Sequence, residues 1–190
     1  MMETKPSATM TELGIVQAGA TILAEPTRAF TLPAESDTAT TVVDEMFAVM
    51  DRVARVHSFA KGMGLAAPQI GIDRRAAVVR PADPDAPAIV LLNPRIIDQS
   101  TETDEQYEGC LSFFDVRGLV PRPLHITVET TTLTGELVTT NYAHGLARLV
   151  GHEIDHLDGS LYRARMRSGI EPIPIEQYKQ TGRKWVYNKQ

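Results

Sequence analysis

The stretch His144-Gly-Leu-Ala-Arg-Leu-Val-Gly-His-Glu-Ile-Asp-His-Leu157 organises the reading of the whole chain. Leu146, Leu149, Val150, Ile154 and Leu157 recur at helical spacing, so one face is apolar and belongs in a core. Asp158-Gly159 closes the helix, glycine being the residue that most readily takes a left-handed C-terminal position. Within it, His152 and His156 stand four apart and therefore share a face. Two imidazoles so placed can reach one metal ion. Glu153 lies about 100° further round, close enough to serve a water on that ion as a general base.

A chain of this composition meets the His-Glu-x-x-His pattern by chance about once in a hundred. A third ligand carries the weight, because catalytic zinc-type sites use three protein ligands and one open position. One large peptidase class continues with Gly three residues after the second His and another His three later. Gly159 fits that pattern and Tyr162 does not. Glu171 and Glu176 lie downstream, but Pro172 and Pro174 break the helix they would need. The only cysteine remains, in Glu108-Gly-Cys110-Leu-Ser112. A lone Cys is most simply a buried packing residue. As a thiolate beside a divalent cation it is a strong ligand, and two His plus one Cys leave a fourth position for water.

Composition narrows the class. At 190 residues, with 43% hydrophobic and 23% charged residues, the sequence reads as a single soluble domain spanning 1–190. A net charge of −5 opposes a general nucleic-acid or anionic-membrane binder. No apolar run approaches the ~18 residues of a membrane span. The first residues lack a basic segment followed by an apolar core, so no secretion signal is expected. One cysteine cannot form an internal disulfide, which fits a reducing, cytoplasmic setting.

Along the chain, residues 1–13 are polar and expected to be loose, and 14–26 to lie as extended arms. A helix of about 20 residues is expected from Ser36 or Asp37, with Val43, Met46, Phe47, Met50, Val53 and Ala54 on one face and an end near Gly62. Gly62-Met-Gly-Leu-Ala-Ala-Pro-Gln69 reads as a tight loop between helix and strand. Strands are expected at 75–80, 88–92 and 95–98, a surface turn at 100–105, and a strand ending at Pro121. A hairpin joins 125–131 to 136–142 through Leu133-Thr-Gly135. Residues 166–190 form a tail with a short helix near 175–180, Trp185 and Tyr187 packing back.

Three blocks together resemble the peptide deformylases: Gly62-Met-Gly-Leu-Ala-Ala-Pro-Gln69, Glu108-Gly-Cys-Leu-Ser112, and His152-Glu-Ile-Asp-His156 followed by Leu157-Asp-Gly159. The resemblance runs from about residue 14 to 165, and the ordered trio is highly specific. It implies an α+β fold of mixed, mainly antiparallel strands packed around the motif-bearing helix. It implies hydrolysis of the formyl group from N-formylmethionyl peptides or nascent chains. It places the metal ligands on Cys110, His152 and His156 and the acid/base on Glu153. Gln69 and the backbone N–H of Leu111 are the implied oxyanion donors. Gly64 and Gly109 are implied substrate contacts, the peptide backbone pairing alongside Gly64, and Met63 and Leu149 the implied side-chain pocket. Ligand softness alone points to zinc. The resemblance implies Fe2+ as the native ion, with Ni2+ or Co2+ as substitutes.

Two departures stand out. The family commonly has Gln where this chain has Gly151, and the preceding segment, 145–150, is one residue shorter. A glycine there is expected to mark close packing against the bare Cα. His57, His125 and His144 match nothing in the family and read as surface or packing residues. Asp155 and Asp158 read as helix-end charges or ion-pair partners. Lys179, Arg183, Lys184 and Lys189 read as a solvated face, or as a ribosome contact if the substrates are nascent chains. The alternatives are a zinc endopeptidase of the His-Glu-x-x-His type and a non-catalytic binding relative. Tyr162 and the available Cys110 weigh against the first, and retention of Glu153, Gln69 and all three ligands against the second.

Overall fold

The computed structural model describes residues 5–183. Three antiparallel three-stranded sheets surround helix α3 (His144–Leu157). The first sheet has the order β1-β2-β3 and joins Met63–Ala66, Ala76–Arg80 and Ile89–Leu92. Its side chains alternate strictly between two cores, as the two-residue strand period demands. Ala76 and Val78 face the core built on helix α2 (Ser36–Val56). Ala77 and Val79 face the core built on α3. The central strand β2 is therefore apolar from Ala76 to Val79, and its burial between two helices explains the continuous Ala-Ala-Val-Val run.

Helix α2 buries Ala39, Val42, Met46, Val49, Met50 and Val53, a stripe at helical spacing. It stops at Val56, short of the expected end near Gly62. His57 turns extended, and its ring meets Phe59 at 4.7 Å and Phe114 at 4.9 Å. Those edge contacts are available only if the chain leaves the helix there, so Phe59 packs from a loop.

A second sheet joins β4 (Arg95–Gln99) to the hairpin of β7 (His125–Thr131) and β8 (Leu137–Ala143), in register from His125↔Ala143 to Thr131↔Leu137. The third contains β5 (Thr103–Glu108), β6 (Val116–Pro123) and the two-residue β9 (Ile173–Pro174). Here the sequence misleads twice. The second half of the polar segment expected to be a surface turn at 100–105 is instead the start of strand β5, held by its ladder to β6 rather than by apolar burial. Strand β6 also runs through Pro121, which pairs with Glu105. Strand β9 flanks β6 only at Val116 and Arg117, so Pro121 needs no N–H on that edge.

The amino-terminal segment is more ordered than its polarity implies. Pro6–Glu12 forms helix α1 with Met10 buried, tied down where Ser7 Oγ donates to Asp115 at 2.5 Å. The following arm is extended apart from a 3-10 turn at Thr21–Leu23. It stitches two loops together: Val16 N–H donates to Gln69 O at 2.8 Å, and Ala18 N–H to Ser112 O at 2.7 Å. Helix α4 (Ile175–Gln180) lies where a short helix was expected. Lys184, Trp185, Tyr187 and Lys189 lie outside the described residues.

Gly151 is not tightly packed. A Cβ there would meet only Arg122 Nη1, at 3.4 Å, an ordinary contact distance. The expectation of close packing fails, and the glycine is a tolerated weakness in the helix. Gly151→Ala should stabilise the protein by a few tenths to ~1 kcal/mol through helix propensity, with turnover retained. Thermal unfolding would settle this; a destabilised variant would restore the close-packing view.

Candidate metal centre and active site

Helix α3 presents His152 and His156 from one face, ring centroids 5.1 Å apart. The loop leaving β5 carries Cys110 to the same place, its Sγ 3.2 Å from His156 Nε2. One ligating atom from each of the three residues lies within 4.8 Å of the others, and all three residues are buried. Among the described residues this is the only such group. A soft thiolate and two imidazoles suit a divalent transition metal. Two electron-rich atoms held at 3.2 Å in a buried site are also what such an ion would reconcile.

Around His152 the chain builds an orienting shell. Glu108 ends β5, and its Oε2 lies 2.9 Å from His152 Nδ1, which directs Nε2 towards the cluster. Arg122 clamps Glu108 with two contacts, at 2.5 and 2.9 Å. Arg148 Nη1 adds a third at 2.6 Å, and its Nη2 reaches Asp104 at 2.7 Å. Arg122 also binds Asp155, which takes two further contacts from Arg165. Asp155 is thus an ion-pair partner as expected, and so is Asp158, paired with Arg75.

Sequence reading gave Glu108, Arg122 and Arg148 no role. Arg148 stands four residues before His152, on the ligand-bearing side of α3 rather than in its apolar stripe, so nothing in the hydrophobic pattern marks it as buried.

The protein's own charges shape the site. Burial opposes the charge on Glu108, but Arg122 and the His152 contact prevail and hold its carboxyl well below the ordinary range. Burial likewise opposes protonation of His152, yet Cys110 and Glu108 raise its pKa well above the usual value. His156 is driven well down by burial and by the charge on His152. Burial pushes Glu153 up to about 7.

Glu153 packs against the bare Cα of Gly64 on β1. A Cβ there would come within 2.6 Å of Glu153 Cγ and closer still to its carboxylate. The second glycine of the first block therefore makes room for Glu153, a requirement separate from any approach by a peptide. Gly64→Ala should displace the carboxylate and slow turnover by about 100-fold while metal remains bound, since a shift of ~1 Å at the chemistry costs that much. An active Gly64→Ala variant would contradict this packing.

Gln69 is oriented by the backbone of Ala66. Its Oε1 accepts from Ala66 N–H at 2.9 Å, so Nε2 faces Ser112 Oγ at 3.2 Å and Cys110 Sγ at 3.6 Å. Leu111 opens a 3-10 turn, where a first N–H has no partner within the turn. Met63, Gly64, Gly109 and Leu149 all line one cavity of about 460 Å³, together with Cys110, His152 and Glu153. His57 lines it too, so its reading as an ordinary packing residue was incomplete. Tyr162, standing where the peptidase class has its third His, packs its ring 4.6 Å from Phe113 and 6.0 Å from His152.

Residues 12–170 match the family model described as polypeptide deformylase. The chain belongs to that family. Peptide deformylase 2 of a Nostoc species is 40% identical over 128 residues, covering 64% of this chain and 72% of that one. The peptide deformylase of a Roseiflexus species is 43% identical over 133 residues, covering 63% and 71%. Among solved structures, a class I type b peptide deformylase from Acinetobacter baumannii superposes with a TM-score of 0.70 at 36% identity, covering 80% of this chain and 97% of that one. Arabidopsis thaliana peptide deformylase 1B gives 0.72 at 32% identity, covering 82% of each. This deformylase is a hydrolase that removes the formyl group from N-formylmethionyl peptides. Its α+β fold is that of its structural neighbours, and its Cys/His/His cluster is a candidate site for the divalent metal that the family implies.

Proposed function

We propose that Cys110, His152 and His156 hold one ferrous ion, that Glu153 is the acid/base, and that Gln69 and Leu111 N–H receive the formyl oxygen. The observation that carries the reading is the meeting of the Cys110, His152 and His156 cluster with a buried carboxylate and an oriented amide, Cys110, His152, Glu153 and Gln69 all lining one cavity. A divalent cation there supplies Lewis-acid polarisation and lowers the pKa of water from about 16 towards 7.

The chain's own groups do the rest. Glu153 takes the proton of the attacking water and returns it to the amine nitrogen, which cannot depart as an anion. Gln69 Nε2 and Leu111 N–H donate to the carbonyl oxygen as it gains charge, one such donor contributing ~3–4 kcal/mol. Formate and a free amino terminus result. Glu108, pinned by two guanidiniums, keeps His152 in the ligating tautomer.

Met63 and Leu149 serve as adaptable walls for the methionine side chain, and Gly64 and Gly109 flank the peptide. A crystal structure of the Acinetobacter baumannii relative has Met-Ala-Ser bound, which fits a peptide beginning with methionine. Nascent chains in the cytoplasm are the natural source of such peptides, and Lys179 and Arg183 are candidate ribosome contacts. Ferrous iron rests on the family resemblance, and zinc, nickel or cobalt fit the same donors.

Formate release from formyl-Met-Ala, set against cleavage of a blocked protein substrate, tests the activity. Formate without internal cleavage is expected. Cleavage of the protein without formate would favour an endopeptidase, and neither product would favour a binding relative.

A further inference from the structure

The cavity that reaches Cys110, His152 and Glu153 is lined by the exposed Lys61 at its mouth and by the half-buried Arg117, two cations on a chain whose net charge is −5. Half-buried and buried arginines elsewhere have carboxylate partners: Arg74 has Glu35, Arg75 has Asp158, and Arg122 and Arg148 share Glu108. Arg117 lines the cavity and, among the described residues, has none. It is fixed instead by carbonyls, Nη1 donating to Phe114 O at 2.9 Å and Val116 O at 2.8 Å, with its guanidinium 4.9 Å from the centre of the Phe114 ring. The adjacent Asp115 is held by Ser7. Burial disfavours the Arg117 charge, and Tyr162, Tyr178, Cys110 and Asp115 act against that shift.

Three more cations stand nearby. Lys61 is exposed, lines the same cavity and makes no ion pair among the described residues. Lys179 follows Tyr178 on α4, and Tyr178 lines the same cavity. Arg183 lies 5.9 Å from the centre of the Tyr107 ring, also a lining residue. The carboxylates of the cavity wall, Glu108 and Glu153, lie at its inner end. Glu108 is consumed by two arginines and Glu153 is buried.

Strand β1 is an edge strand, paired only with β2. A peptide adding to its free edge with the formyl group near Gly64 runs outwards past Lys61. Three residues of strand span about 10 Å, which sets Lys61 opposite the second or third residue after the formylated one, with Arg117 lining the same cavity. Resting on the deformylase reading above, we propose that this mouth selects formyl peptides carrying acidic side chains in the two or three residues that follow the formylated one.

Three amidated peptides test it: formyl-Met-Asp-Glu-Ala, formyl-Met-Asn-Gln-Ala and formyl-Met-Lys-Lys-Ala, with formate release followed at low ionic strength. The expected order of kcat/KM is acidic over neutral over basic, by roughly five- to tenfold between the extremes, carried mainly in KM. The contrast should shrink above 0.1 M salt, where screening sets in within about 10 Å. Lys61→Glu with Lys179→Glu should reverse the order of the acidic and basic peptides. Equal use of the three peptides, or a preference that neither salt nor the reversed charges alter, would overturn the proposal. No formate from any of them would overturn the deformylase reading and this inference with it.

Discussion

Glu153→Ala should abolish nearly all turnover while leaving the metal in place. General acid–base catalysis contributes 10²- to 10⁴-fold, so a loss of about 10³-fold is expected, or roughly 4 kcal/mol of barrier. The metal should stay because Glu153 supplies no ligating atom to the Cys110, His152 and His156 group. Glu153 is 3% exposed and its Oε2 has no hydrogen-bond partner, so truncation removes no ion pair and opens space beside Gly64. Glu153→Asp should also be poor, because the shorter carboxylate falls short of the water. Steady-state formate release with metal content on the same samples decides the matter. Near-normal turnover in Glu153→Ala would remove the acid/base assignment.

Cys110→Ala should lower metal occupancy and activity together, by an amount comparable to or larger than the loss at Glu153. A thiolate is the strongest donor of the three, and two imidazoles alone hold a divalent ion weakly. The side chain is small and its residue is 4% exposed, so its loss leaves a minor cavity rather than an unfolded chain. Thiol labelling separates ligation from packing. The wild-type thiol should be shielded with metal bound and react once a chelator has removed it. Equal labelling with and without chelator would count against ligation. Oxidation of Cys110 should inactivate the enzyme, and a zinc-loaded enzyme should survive air longer and turn over more slowly.

The centre of the fold was legible because its signals are local. Helical spacing in 144–157, the hairpin around Gly135 and the apolar runs of β2 and β3 each specify themselves over a few residues. The ligand pair on α3 is legible for the same reason, since four residues of helix fix which side chains share a face. Cys110 came within reach only through elimination and family resemblance, being 42 residues away from His152 along the chain.

What the sequence concealed depends on partners distant along the chain. Strand β5 is polar, and its pairing with β6 is invisible to any hydrophobic pattern. The Glu108–Arg122–Arg148 clamp joins three elements, and each residue alone reads as a surface charge. The early end of α2 depends on a ring contact to Phe114, 57 residues beyond His57. Gly64 was noticed as a peptide contact, and a second demand on it went unread: its bare Cα faces Glu153, which only the packing of β1 against α3 reveals.

The central claim is that one metal ion on Cys110, His152 and His156 serves hydrolysis of a formyl amide. Its most direct test is formate release from formyl-Met-Ala by anaerobically purified protein, with metal analysis on the same sample before and after chelation. The predicted result is turnover proportional to bound ferrous ion, approaching one per chain, lost on chelation and regained when the ion is restored. Turnover undiminished in the chelated, metal-free protein would contradict it.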